Sequence, residues 1–317
     1  MRNYSIDTLK FFCAILVILI HVDPPQEPYV YYYDQLIRCA VPVFFMISGY
    51  LLMGDSLENR LIKSIKKVTV ILLCSTLFYA IVLCLFNIRP LSAFLPSFEE
   101  VYRFLLFNHN PYCWHLWYLS AYIYVLIICL IINKLKLLSC SFVLIPLLLI
   151  TCLLFGKYSF VISASFPLMY SRNFLFTGLP FFLLGIFCNK YEQKNNISRT
   201  LFSLVILSFL VVFVENKFLL YEEEYRLIGD IYINSIFISL LLFLIFITIP
   251  LKRDNLFSTI GRKDSLYIYI LHPFWIIFFD YINIYIAIPW NKAIYSVVIT
   301  ICTLLMIYVL RALRIIK

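Results

Sequence analysis

Apolar residues fill this chain in long unbroken runs, and short polar segments between the runs hold most of the charge. The runs are too continuous for the two-residue alternation of barrel strands, and long enough for helices that cross a bilayer. They predict about ten spans, at residues 6–22, 34–53, 66–87, 115–133, 141–156, 173–189, 199–216, 229–249, 264–281 and 292–311. The expected fold class is all-α: a polytopic helical integral membrane protein, with one transmembrane domain over residues 1–317. The pattern shows no internal repeat.

Composition strengthens this picture. Hydrophobic residues make up 63% of the chain and charged residues 14%, with a mean hydropathy of +0.93. A soluble domain of this size needs more charge on its outside. The net charge of +9 would suit a polyanion such as nucleic acid, but the bases sit in the short segments between spans, which is a topology signal. With the N-terminus in the cytoplasm, lysines and arginines divide eighteen to seven in favour of the inner side, Arg38 being left within a span. Both termini are therefore expected in the cytoplasm. Arg2 and Lys10 ahead of an apolar core imitate a signal peptide, yet HVDPPQ lacks the small residues of a cleavage site, so a retained helix is expected. The ten cysteines lie mostly in apolar segments, without CxxC or metal-ligand spacing; neither a disulfide framework nor a metal site is expected.

Titratable groups inside the runs supply the candidate chemistry, because such groups are costly in a membrane and by default face protein or water. The first run, IDTLKFFCAILVILIHV, carries Lys10 and His21. Eleven residues at about 100° each make three turns plus about 20°, so the two lie on one stripe, roughly 16 Å apart along the axis. Asp7, three residues before Lys10, shares that face and can pair with it. The plainer alternatives are a snorkelling lysine and an interfacial histidine. Arg38 enters the second run at a depth comparable with His21, where a guanidinium can stabilise a developing oxyanion or simply snorkel. Pro42 can kink that run, and Ser48 and Gly49 permit close helix approach. The loop GDSLENRLIKSIKKV gathers Arg60, Lys63, Lys66 and Lys67, a cluster suited to anionic membrane lipids. Residues 88–114 are expected to form the longest outer loop, ending in HNPYCWHLWYLSAYI, whose Trp114, Trp117 and Tyr118 can form an aromatic belt or stack on sugar rings. His109 reads as a loop histidine, and His272, near mid-span, as a core histidine more readily than a catalytic one. Glu215 and Asp280 at outer helix ends read as solvated carboxylates.

Several of these stretches together resemble membrane acyltransferase family 3, which includes the O-acetyltransferases of bacterial surface polysaccharides. They are Lys10-x10-His21 in SIDTLKFFCAILVILIHV, then VPVFFMISGYLL, HLWYL with His115 and Trp117, GLPFFLLGIF, and SLYIYILHPFW with His272. The likeness covers nearly the whole chain and implies a stand-alone form, without an appended hydrolase-like domain. It implies an O-acyltransferase, most often an O-acetyltransferase, of a bacterial cytoplasmic membrane. The acyl group would move from cytoplasmic acyl-CoA to a hydroxyl of a surface or lipid-linked glycan. His21 would be the catalytic base, with Lys10 and Arg38 assisting it. Arg60-x-x-Lys63 resembles the family's Arg-x-x-Arg element, associated with the donor, although lysine replaces its second arginine; Lys10 also falls to the donor side. His115, Trp117 and His272 are the candidate substrate contacts. A competing class is a transporter or flippase for a lipid-linked glycan, which predicts pseudo-symmetric halves; motifs of the first five spans do not recur in the last five. A membrane binding or sensing module is the other alternative, and it would survive His21→Ala.

Overall fold

Asn3 opens the first helix by local chemistry: it sits in the extended region, and its side chain accepts from the Ile6 N–H at 3.1 Å. The computed structural model describes residues 3–22, 30–54, 56–191, 197–219, 229–286 and 292–316. Its helices are, in order, α1 (Tyr4–Ile20), α2 (Val30–Ile37), α3 (Ala40–Leu52), α4 (Leu57–Leu85), α5 (Phe98–Phe107), α6 (Trp117–Lys134) and α7 (Leu144–Leu154). They continue with α8 (Leu179–Tyr191), α9 (Ile197–Leu219), α10 (Ile233–Thr248), α11 (Leu256–Lys263), α12 (Ser265–Tyr285) and α13 (Lys292–Ala312). Among the described residues there is no strand.

Each of the ten expected runs overlaps a helix. Five stretches are long and apolar enough to cross a membrane: Tyr32–Leu52, Leu57–Leu85, Trp114–Lys134, Ser265–Ile284 and Ile294–Ala312. Shorter apolar helical stretches lie at Cys140–Leu154, Phe174–Lys190 and Ile233–Thr248. The chain is a multi-pass helical membrane protein.

Three boundaries differ from expectation, each for a physical reason. The second run is not one continuous helix but breaks at Arg38–Cys39. Pro42 has no N–H for the Arg38 carbonyl four residues earlier, and its ring crowds that carbonyl. The third run begins as a helix at Leu57, so Arg60 and Lys63 stand on helix rather than loop. The segment before α6 contains α5, which starts with a Ser97–Glu100 capping box and ends at Asn108 in the left-handed region.

Contacts divide the chain into two compact units, residues 1–40 with 243–317 and residues 41–242. In the first, α1 packs on α11, α12 and α13. The closest approach is at Gly261, where a Cβ would sit 1.8 Å from the Asp7 carbonyl oxygen and 2.8 Å from the Phe11 nitrogen. Ser5 secures the same end: its hydroxyl donates to the Ile249 carbonyl at 2.8 Å and accepts from the Leu251 N–H at 2.7 Å. Arg311 on α13 reaches Asp264 at 2.6 Å, at the start of α12. In the second unit, α4 packs along α6, and α3 crosses α8 backbone to backbone. A Cβ on Gly49 would lie 2.1 Å from the Phe182 oxygen, and one on Gly185 would lie 2.0 Å from the Met46 oxygen, so the crossing uses a glycine from each helix.

Candidate functional site

The first unit holds the titratable stripe of α1. Asp7 is in the first turn, and its carboxylate takes the Lys10 ammonium at 3.0 Å, as the spacing of three predicts. Asp7 is buried, while a fifth of the Lys10 side chain remains exposed. The helix ends where the histidine begins. His21 is the C-cap, at φ −103° and ψ 0°, with its N–H donating to the Ile18 carbonyl at 3.0 Å. That tighter bond closes the last turn.

His21 meets a second histidine. Its ring lies nearly parallel to that of His272 on α12, with centroids 5.4 Å apart and an angle of 6° between the planes. His272 is fully buried. Its Nδ1 stands 2.9 Å from the Ile268 carbonyl oxygen, one turn back. A carbonyl only accepts, so Nδ1 carries the hydrogen, and Nε2 is the basic nitrogen of the neutral ring. Pro273 follows inside the helix and has no N–H for the Tyr269 carbonyl. The sequence placed His272 at mid-span but gave no sign of its neighbour. Only the packing of α1 on α12 brings the rings together.

Arg38 occupies the joint between α2 and α3, with its Nε donating to Asp34 at 2.8 Å. Both side chains are mostly covered. Tyr33, beside Asp34, donates its hydroxyl to the Leu19 carbonyl at 3.4 Å, tying α2 to the end of α1. Lys10, His21, Arg38 and His272 therefore belong to one compact unit. Lys10 is held with Asp7 near α11, roughly 16 Å along the helix from His21.

The remaining candidates belong to the unit of residues 41–242. Arg60 folds back over the α3–α4 turn and donates to the Met53 carbonyl at 2.9 Å. Beside it opens a shallow cleft of about 500 Å³, lined by Met53, Gly54, Ser56, Leu57, Asn59 and Asn133 with the carboxylate of Glu58, which pairs with Lys134 at 3.4 Å. Lys63, Lys66 and Lys67 are exposed along α4. His115 is buried, with Nδ1 2.8 Å from the Cys113 sulfur and its ring edge-on to Tyr79 at 5.1 Å. Trp117 is 9% exposed and lies under the Arg172 guanidinium, 5.9 Å from its ring centre. Arg172 in turn holds Asp230 bidentately, with one N–H···O bond of 2.7 Å. Nothing in the sequence singles out Arg172 or Asp230, whose pairing joins segments 58 residues apart in the chain. Trp114, by contrast, is 42% exposed.

One expectation is corrected. Glu215 is not a solvated carboxylate but only 4% exposed. It accepts from the Ile233 N–H at 2.8 Å and the Asn234 N–H at 3.0 Å, capping the first turn of α10, and from the Tyr158 hydroxyl. Those helix N–H groups lack partners within their own helix, which is why a carboxylate tolerates burial there. Asp280 and His109 are exposed. All ten cysteines are free thiols. Among the described residues, no three His, Cys, Asp or Glu side chains gather as metal ligands.

The family model described as "Acyltransferase domain" matches residues 3–312. The chain belongs to acyltransferase family 3. Two curated relatives match along nearly all of it. An amino-acid racemase of Enterococcus faecalis is 28% identical over 347 residues, covering 99% of this chain and 46% of that protein. A serine/alanine racemase of Enterococcus gallinarum is 26% identical over 332 residues, covering 96% of this chain and 45% of that protein. This family member thus spans about half the length of the curated relatives it matches. No solved structure matches it.

Proposed function

We propose that this acyltransferase moves an acyl group, acetyl foremost, from acyl-CoA on the cytoplasmic side to a hydroxyl of a cell-surface or lipid-linked glycan. Its place is the bacterial cytoplasmic membrane. The observation that carries the reading is His21: a histidine at the C-cap of the first helix, stacked on a second imidazole, in a member of this family.

A neutral hydroxyl is a poor nucleophile and needs a base whose pKa lies near working pH, for which imidazole, at about 6.5, is suited. His21 takes the hydroxyl proton as the oxygen forms its bond to the thioester carbonyl carbon. The carbon–sulfur bond then breaks, and the leaving thiolate takes the proton back from His21. The products are an O-acyl ester and a free thiol. Charge gathers on the thioester oxygen during this step, and Arg38 is the guanidinium assigned to it; its bond to Asp34 uses Nε and fixes the plane of the group. Arg60 and Lys63, with Lys66 and Lys67, suit the phosphates of CoA. Lys10, paired with Asp7, serves the donor side. On the acceptor side the candidates are Trp117 and His115, with exposed Trp114 available for stacking on a sugar face.

The names of the relatives support a second reading, in which the acceptor hydroxyl belongs to a small amino acid such as serine rather than to a sugar. One experiment separates the two. Membrane vesicles holding wild-type or His21→Ala protein are given acetyl-CoA labelled in its acetyl group. The expected result is label in the glycan fraction with wild type only. Label in a free amino acid would transfer the role to the second reading, and equal label with His21→Ala would remove His21 as the base.

A further inference from the structure

The candidate base is not alone: a second imidazole lies nearly parallel to it, 5.4 Å away, on a helix 251 positions later in the chain. Three features show that the second ring is built into its place. It is fully buried, its Nδ1–H is fixed by the Ile268 carbonyl at 2.9 Å, and its helix carries Pro273 immediately after it. A ring held by a backbone acceptor cannot swing, so whatever stacks on it is oriented by it. His21 needs such an orienting surface. It is the first residue beyond the last full turn of α1, where the backbone frays and a side chain is less constrained by its own helix.

We infer that His272 is a positioning residue for His21: its immobile ring sets the plane of the base and offers its π face to the imidazolium that forms when the acceptor proton is taken. This rests on His21 being the base. The face of an aromatic ring attracts a cation, and the attraction is stronger in a site withdrawn from water. A surface that favours the protonated ring only while the proton is in transit lowers the barrier rather than tightening substrate binding. His272 itself takes no proton in this scheme. Its Nδ1–H remains on the Ile268 carbonyl throughout, and its role is exerted through the ring face.

Two substitutions of similar size separate a ring face from mere filling. His272→Phe keeps a flat aromatic surface and removes both nitrogens, whereas His272→Leu fills space without a face. Acyl transfer is followed in detergent-purified protein of checked thermal stability, with the KM of donor and acceptor measured separately from kcat. The expected result is a kcat at least tenfold lower for His272→Leu, with both KM values unchanged, and a kcat within about threefold of wild type for His272→Phe. Wild-type kcat in His272→Leu overturns the inference. Equal losses in the two variants at normal stability overturn it too, because a nitrogen would then matter instead of the face. Losses that track a lowered melting temperature in both variants assign His272 to structure alone. His21→Ala is run alongside. If it retains activity, the reading of His21 as base has failed; if it is inactive while His272→Leu is normal, only the present inference has failed.

Discussion

Arg89 and Glu100 are joined by two parallel N–H···O bonds of 2.9 Å each, across eleven residues of the segment that precedes α6. The same guanidinium donates to the Ala93 carbonyl at 2.6 Å and the Pro111 carbonyl at 3.2 Å, so one side chain gathers this whole segment. The arginine bonds, followed by those from Ser97, pull the Glu100 carboxyl down to about 2. A carboxyl lowered on folding contributes stability that is fully present above its ordinary value near 4.5 and is lost as pH falls toward 2. Glu100 is about a third exposed, so solvent limits the contribution to about 1 kcal/mol. Glu100→Gln should therefore lower the melting temperature by a few degrees at pH 7. That difference from wild type should shrink near pH 2, and a constant difference across the range would rule out the ion pair as its source.

Backbone contact at Gly261 makes a sharper demand. An alanine Cβ there meets the Asp7 carbonyl at 1.8 Å, and neither helix backbone can yield cheaply. Gly261→Ala should cost about 1–3 kcal/mol and displace α1. Thermal unfolding in detergent checks it. An unchanged melting temperature would contradict the packing of α1 on α11.

Lys10 and His21 should each be required, for different reasons. Lys10→Arg keeps a cation for Asp7 and should retain substantial transfer activity. Lys10→Met removes the ammonium that Asp7 holds at 3.0 Å and should lose most of it. His21→Asn should lose on the order of 100-fold in rate, since an amide takes no proton at neutral pH. One alanine inserted between Phe12 and Leu16 turns the two ends of α1 by about 100° relative to each other. With one end pinned at Gly261 and the other at His272, that variant should be inactive at normal membrane abundance. Activity within twofold of wild type would sink the paired assignment.

Donor use can be read in the kinetics. Reversing charge at Arg60 and Lys63 should raise the KM for acyl-CoA by about tenfold or more and leave that of the acceptor unchanged. Equal changes in both would point to a disturbed α3–α4 turn, where Arg60 holds the Met53 carbonyl.

Sidedness is testable with single cysteines on a cysteine-free background. Glu99→Cys, on α5, should label from outside intact cells, and Glu58→Cys, at the start of α4, should not. The reverse pattern would invert the topology drawn from the lysines and arginines.

What the sequence disclosed follows from the range of the interactions concerned. Each apolar run overlaps a helix, because burial in lipid or protein leaves its imprint residue by residue, whereas the more polar α5 and α11 fell outside every run. Asp7 and Lys10 were paired correctly because their contact is three residues long. The break at Arg38 was half legible: Pro42 signalled a disturbance, and the structure turns it into a separate helix. His21 with His272, Arg172 with Asp230, and Glu215 with the first turn of α10 were not legible. Periodicity tells which residues share a helix face, but not which helix will lie opposite.

The union of α1 with α11, α12 and α13 also imposes an order on biosynthesis. The ribosome releases α1 first of these helices and its neighbours last, since the Ser5–Ile249 bond alone closes a loop of 244 residues. Contacts so distant in the chain form late and slowly. During that interval the membrane must shelter α1 by other means, with lipid or an insertion factor covering the surface later taken by α11. The stacked pair of His21 and His272 is thus assembled only when residue 272 has been translated and inserted, so α1 stays without that neighbour through 251 residues of synthesis.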